Sequence, residues 1–85
     1  MMVMKSDWIT PAQCRAARAL LDMTQPELAE RAGLGLSTVV DFEKSRREVS
    51  ERAIAELQAA LERAGIKFLR QDNAIGVLTA ATRAK

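Results

Sequence analysis

The side chains that could carry chemistry in this 85-residue chain are few, and their types exclude most catalysis. The chain has no histidine and a single cysteine, Cys14. The usual zinc sites need several histidine or cysteine ligands, and the histidine-based nucleophilic triads need a histidine. We therefore predict a protein that is not an enzyme and has no metal or cofactor. Cys14 cannot form an intrachain disulfide, so a cytoplasmic protein is expected, with Cys14 as a small buried residue.

A second group of side chains has the chemistry of anion binding. Lys44, Arg46 and Arg47 lie within the polar segment KSRRE, and the whole chain has a net charge of +2. This charge permits nucleic-acid binding without requiring it, because a local basic patch matters more than the total. The three cations fit phosphate contacts beside a DNA groove, but they also fit an ordinary solvated turn. Which of these two interpretations applies depends on the secondary-structure elements around the three cations.

The segments around this basic cluster have the start and stop signals of short helices. Thr10-Pro11 is typical of a helix start, and TQPE at 24–27 matches a capping box, in which a hydroxyl and a glutamate satisfy free backbone N–H groups. Gly33 and Gly65 are typical helix-ending residues. These signals predict four helices: Pro11 to about Asp22, Gln25 to Ala32, Leu36 to about Lys44, and one capped by Ser50 that runs to about Ala64.

The second and third predicted helices form a helix-turn-helix unit. They are joined by a short turn that contains glycine, as such units require. The unit is compact because the N-terminal part of its second helix must enter the major groove of DNA while its first helix crosses the backbone. Double-stranded DNA is therefore the predicted ligand of this unit.

After Gly65 the spacing of the apolar residues changes from the helical pattern to alternation. Ile66 and Phe68 alternate with polar residues, Ile75 and Val77 alternate with Gly76, and a turn sequence lies between them, which predicts a β-hairpin. An isolated hairpin is marginal in water, and its unpaired edges invite another strand. We therefore predict that the hairpin is the dimerisation element of a homodimer. The alternative, in which it only covers its own helices, stays open. The predicted interface consists of Ile66, Phe68, Ile75 and Val77.

The predicted fold class is mainly α, with a four-helix helix-turn-helix domain and a C-terminal β-hairpin. The domain spans 10–65 and the hairpin 66–79, between a flexible arm at 1–9 and a tail at 80–85. We expect Trp8 to pack over the edge of the core or on a second subunit. The sequence has no run of ~18 apolar residues, so no membrane span is predicted.

The helix-turn-helix unit resembles a known family. It is similar to the Cro/lambda-repressor-like, or XRE, helix-turn-helix family over roughly residues 10–64, most clearly in the stretch LLDMTQPELAERAGLGLSTVVDFEKSRR. The resemblance implies a DNA-binding repressor or autoregulator that recognises a palindromic operator. It also implies that Gln25 and its helix N-terminus hold a phosphate. Arg18 and Glu43 match a family ion pair that orients the third helix.

The resemblance places the outward residues of the third helix against bases. Ser37 can hydrogen-bond several base edges, Leu36 and Val40 can contact a thymine methyl group, and Asp41 can accept from a cytosine amino group. This set is weakly polar, so we expect DNA shape to contribute to specificity. Ser45 stands where the family usually has glycine, which predicts slight strain there. The predicted phosphate contacts are Gln25, Thr38, Lys44, Arg46 and Arg47.

A second interpretation belongs to a different class of protein. The chain could be the antitoxin of a toxin–antitoxin pair, or an anti-activator, that uses the same fold to bind a protein partner. The weakly polar third helix and the hairpin without an assigned role keep this interpretation open. A toxin gene beside the gene for this chain would favour the antitoxin.

Overall fold

Four helices and one β-hairpin follow each other along the chain, as the sequence predicts. The computed structural model describes residues 8–80. Most of the predicted arm and tail therefore lies outside the described residues. The mainly helical fold class with a C-terminal hairpin is confirmed. The elements are α1 (Pro11–Leu21), α2 (Gln25–Ala32), α3 (Leu36–Lys44), α4 (Glu51–Arg63), β1 (Ile66–Gln71) and β2 (Ala74–Thr79).

Capping side chains fix the first turns of α1 and α2. Thr24 Oγ1 accepts from the Glu27 N–H at 3.1 Å, and Glu27 Oε1 accepts from the Thr24 N–H at 2.9 Å. Thr10 and Gln13 form the same reciprocal pair at the start of α1. Each such cap stabilises its helix by about 1 kcal/mol. Gly33, with a φ of 71°, ends α2 in the left-handed conformation, so that α3 begins only three residues later.

The core lies between the apolar faces of the four helices. Ile9 belongs to it, with 4% of its surface exposed, and its N–H donates to Gln58 Oε1. The predicted flexible arm is therefore wrong at this residue. Ile9 directly precedes the cap of α1, where an apolar side chain packs under the first turn and fixes the entry of the chain. The fully buried apolar side chains are Cys14, Ala17, Leu28, Val39, Leu57 and Leu61.

The hairpin packs one face on the helices. β1 and β2 are antiparallel, with Leu69 opposite Gly76 and a two-residue loop at 72–73. The side-chain amide of Gln13 lies under this pair, and its Nε2 donates to the carbonyl oxygen of Leu69 at 3.2 Å and to that of Gly76 at 3.0 Å. A residue of α1 therefore fastens both strands at once.

The predicted dimer interface lies on this covered face. Ile66 is only 4% exposed, so the prediction that it contacts a second subunit is wrong. Phe68 and Val77 are half-buried and pack against the same core. Ile75, 43% exposed, is the one predicted interface residue that remains accessible. The alternation predicted the strands, but the helices of the same chain already cover the more apolar face. The alternative, in which the hairpin covers the helices of its own chain, therefore describes this face.

Candidate nucleic-acid interface

The third helix presents one open face. Val39 and Phe42 are buried and anchor α3 to the core. Leu36, 46% exposed, and Ser37 stand outward at its N-terminal end. Val40 and Asp41 are half-buried along the same face, and Lys44 is exposed at its end. Thr38 is half-buried and lies about 100° around the helix from Ser37, at the edge of this face. The helix is thus fixed from beneath, while the face predicted to meet DNA is accessible along its length.

A buried carboxylate fixes the far end of α3. Glu43 is 1% exposed, and the Arg18 guanidinium meets it with two hydrogen bonds, from Nη2 to Oε1 at 2.7 Å and from Nε to Oε2 at 2.8 Å. This two-point geometry is the strong form of an ion pair, because both the distance and the plane of the groups are fixed. The structure therefore brings together the two residues that the sequence suggested as a pair.

Two further side chains complete the ring around Glu43. The Cys14 thiol donates to Oε2 at 3.1 Å, and Gln25 Nε2 donates to Oε1 at 3.0 Å. We call the four residues Cys14, Arg18, Gln25 and Glu43 the Glu43 cluster; it joins α1, the first residue of α2 and the end of α3. Sequence reasoning missed the hydrogen bond of Cys14. Its position one helical turn before Arg18, on the same face of α1, was the available signal.

The electrostatics of the cluster favour an ionised Glu43. Burial raises the pKa of this carboxyl, but the hydrogen bonds from Arg18, Cys14 and Gln25 and the Arg18 charge outweigh burial, and the pKa lies below its ordinary value. Burial, followed by the Glu43 contact, raises the pKa of the Cys14 thiol. Cys14 thus stays a thiol and keeps its proton for Glu43, which makes it a donor rather than a reactive thiolate.

The lowered pKa of Glu43 makes stability depend on acidity. A carboxyl with a lower pKa in the folded state stabilises the fold above its unfolded-state pKa, and this contribution is lost as the pH falls towards the folded-state value. We expect the free energy of unfolding to decrease below about pH 4.5, and less steeply in Glu43→Gln. Urea titrations at several pH values measure both. The control Glu30→Gln, at an exposed position, should keep the parent's slope; equal slopes in all three proteins would contradict this role of Glu43.

The basic turn after α3 contains an internal ion pair. Ser45 ends the helix in the left-handed conformation with a φ of 55°, the strained position predicted for it. This bend returns Arg47 to the helix, where its Nε donates to Asp41 Oδ2 at 2.8 Å, and Arg46 lies 3.8 Å from the same carboxylate. Both arginine side chains remain more than half exposed. The Asp41 carboxylate, predicted to meet a base, is thus shared with two of the predicted phosphate contacts.

A basic cleft of about 620 Å³ opens between the N-terminus of α2 and the end of α3. Its lining includes Arg15, Gln25 and Lys44. The Gln25 amide group carries two hydrogens, of which one serves Glu43, so the other can serve a ligand. At this helix start the capping box uses the N–H groups of Thr24 and Glu27, and Pro26 has none, so the Gln25 N–H is the one left for a ligand. This N–H and the cations of the cleft together favour an anion such as phosphate.

Among residues 8–80, no group of three His, Cys, Asp or Glu side chains could hold a metal ion. None of the helices in that range is long and apolar enough to cross a membrane.

Comparison with known proteins identifies the family. No curated protein matches the chain in sequence. The family model for helix-turn-helix domains matches residues 15–65, more than half of the chain. The match covers most of α1 and all of α2, α3 and α4, and it ends where the hairpin begins. The chain therefore belongs to the helix-turn-helix family of the XRE, or Cro/lambda-repressor-like, kind, and it is a DNA-binding regulator of transcription.

Proposed function

We propose that the protein is a sequence-specific repressor that binds a pseudo-palindromic operator as a homodimer and controls its own gene. The observation that carries this proposal is the open face of α3 beside an exposed basic turn, held in place from beneath by the Glu43 cluster. A helix fixed in this way can enter the major groove without reordering, so little of the binding free energy is lost to positioning it.

The N-terminal part of α3 would read the bases. Leu36 and Ser37 project there, and Val40 lies one turn further on. A leucine and a valine favour thymine methyl groups, and a serine hydroxyl can either donate to or accept from a base edge. No long amide or guanidinium side chain projects from this face of α3, so sequence-dependent groove shape would add to the selectivity.

The flanking polar residues would hold phosphates. Lys44, Arg46 and Arg47 lie at the C-terminal end of α3 and in the turn after it, and Gln25 lies beside Lys44 in the basic cleft. Thr38 lies in the first turn of α3. Over two half-sites the three cations would make roughly six phosphate contacts, which gives an affinity that falls steeply with salt. The main role of Asp41 would be to hold Arg46 and Arg47 over the end of the helix. Its carboxylate could accept from a cytosine amino group only while it also binds these two arginines.

The regulatory mechanism would be steric. In a symmetric dimer, two copies of α3 lie about 34 Å apart and enter successive major grooves on one side of the DNA. A dimer bound across a promoter excludes the transcription machinery. Its effect therefore depends on the concentration of the protein and on the affinity for the operator.

Footprinting tests this function directly. The purified protein is incubated with the DNA upstream of its own gene, and nuclease protection is compared with that of a shuffled DNA of the same composition. We expect one protected site with two related halves whose centres are one helical turn apart. Equal protection of both DNAs would contradict sequence specificity, and a protected site with a single half would contradict the symmetric dimer.

A further inference from the structure

One oxygen of the Asp41 carboxylate is open to a further donor. Arg47 Nε donates to Oδ2 at 2.8 Å, whereas Arg46 Nη1 lies 3.8 Å from Oδ1, beyond hydrogen-bond distance. In the described part of the chain, no other side chain donates to Oδ1, and 20% of the Asp41 side chain is exposed. The two arginines outweigh the negative charge of Asp41, so this carboxylate can approach DNA without net repulsion from the phosphates.

An aliphatic side chain stands beside this acceptor. Val40 directly precedes Asp41 on α3, and both are half-buried on its open face. Successive residues of a helix are about 100° apart around the axis and only about 1.5 Å apart along it, so the two side chains are neighbours on the surface that meets the groove. Leu36, the other aliphatic residue of this face, lies about 140° around the helix from Asp41. The face thus joins one free carboxylate oxygen to one adjacent aliphatic group.

The bases of DNA differ at the two atoms that such a pair would touch. Cytosine offers an amino donor to the carboxylate but has no methyl group. Thymine has a methyl group, but the atom beside it is an oxygen acceptor, which repels a carboxylate. 5-Methylcytosine has both features, because its amino group is that of cytosine and its methyl group is attached to the same ring carbon as in thymine. It therefore complements the pair better than any unmodified base.

We propose that Val40 and Asp41 together recognise 5-methylcytosine, so that the protein distinguishes methylated from unmethylated operators. Asp41 Oδ1 accepts from the amino group while Oδ2 stays bonded to Arg47, and Val40 covers the methyl group. This recognition rests on the operator binding of the proposed function, and it names one base of the operator, a cytosine in each half-site. Methylation of that cytosine raises the occupancy of the operator and couples repression to the methylation state of the DNA.

Synthetic operators test this recognition one cytosine at a time. Symmetry-related pairs of cytosines in the protected site are replaced by 5-methylcytosine, and fluorescence anisotropy measures the dissociation constant of each duplex at constant salt. Burial of one methyl group strengthens binding roughly fourfold, so we expect one pair of positions to give a dimer that binds about 15-fold more tightly. Thymine at the same pair should bind roughly 10-fold or more weakly than cytosine, since its oxygen faces the carboxylate of Asp41.

Two matched variants separate direct contact from a change in DNA shape. Val40→Ala and Leu36→Ala each remove an outward aliphatic side chain from α3, so the quantity compared is the ratio of the dissociation constants for unmethylated and methylated DNA within each protein. We expect this ratio to fall to about twofold or less in Val40→Ala and to keep the parent's value in Leu36→Ala. A methylation preference that survives in Val40→Ala, or that is lost in Leu36→Ala, would overturn the proposal.

The parent protein separates this proposal from the proposed function. If it protects an operator but binds every methylated duplex like the unmethylated one, or if the protected half-sites hold no cytosine, only the recognition of 5-methylcytosine is wrong. If it protects no site at all, the operator binding on which this recognition rests is wrong as well.

Discussion

Replacing Arg18 with alanine should lower the free energy of unfolding by about 3 kcal/mol. The substitution leaves the Glu43 carboxylate, which is 1% exposed, without its only positive partner in the Glu43 cluster. Removing one partner of a buried ion pair destabilises proteins by roughly 3–5 kcal/mol, and the 20% exposure of the Arg18 side chain favours the lower end of that range. Such a loss is a large fraction of the stability of a small domain.

Urea unfolding followed by circular dichroism measures this effect. The matched control is Arg52→Ala, at an exposed position of α4, for which a change below about 0.5 kcal/mol is expected. The double variant Arg18→Met, Glu43→Leu should recover much of the lost stability, because apolar residues can replace a buried pair without leaving a charge uncompensated. If Arg18→Ala were as stable as Arg52→Ala, the Glu43 cluster would not hold α3 in place.

Those parts of the fold that depend on local signals were predictable from the sequence. The bounds of α2 follow from the Thr24–Glu27 capping box at one end and from Gly33 at the other, and both act within a single helical turn. The limits of α3 follow in the same way from the turn before Leu36 and from the polar segment after Lys44. Cap and turn chemistry needs only neighbouring residues, so it can be recognised without knowledge of the tertiary structure.

Features that depend on packing could not be predicted in this way. An alternating pattern indicates a strand but leaves open which face the helices cover, and the deciding contact, from Gln13 to the carbonyl of Gly76, joins residues 63 positions apart. The hydrogen bond of Cys14 to Glu43 crosses 29 positions. The pairing of Arg47 with Asp41 requires the left-handed backbone of Ser45, which the sequence indicated only as strain. Long-range contacts thus decide which face of the hairpin the helices cover, while the partners of Asp41 depend on a local backbone bend between residues six positions apart.

The double variant Arg46→Ala, Arg47→Ala should bind the operator on the order of 100-fold more weakly at moderate salt. Each arginine would contact one phosphate in each half-site, so a dimer loses about four contacts, and the slope of log K against log salt should become shallower by roughly 3 to 4. Both side chains are exposed and their hydrogen bonds lie at the surface, so the fold should be retained. Binding titrations at several salt concentrations give the affinity and the slope together.

The matched control removes two arginines elsewhere. Arg52→Ala, Arg63→Ala on α4 changes the net charge by the same amount, so long-range attraction to DNA weakens equally in both double variants, while phosphate contacts are lost only beside α3. We therefore expect the control to keep the parent's salt slope within about one unit. Parallel losses in both variants would mean that the overall charge attracts DNA and that the turn makes no contact. An unchanged affinity in Arg46→Ala, Arg47→Ala would instead mean that the basic turn does not belong to the DNA interface.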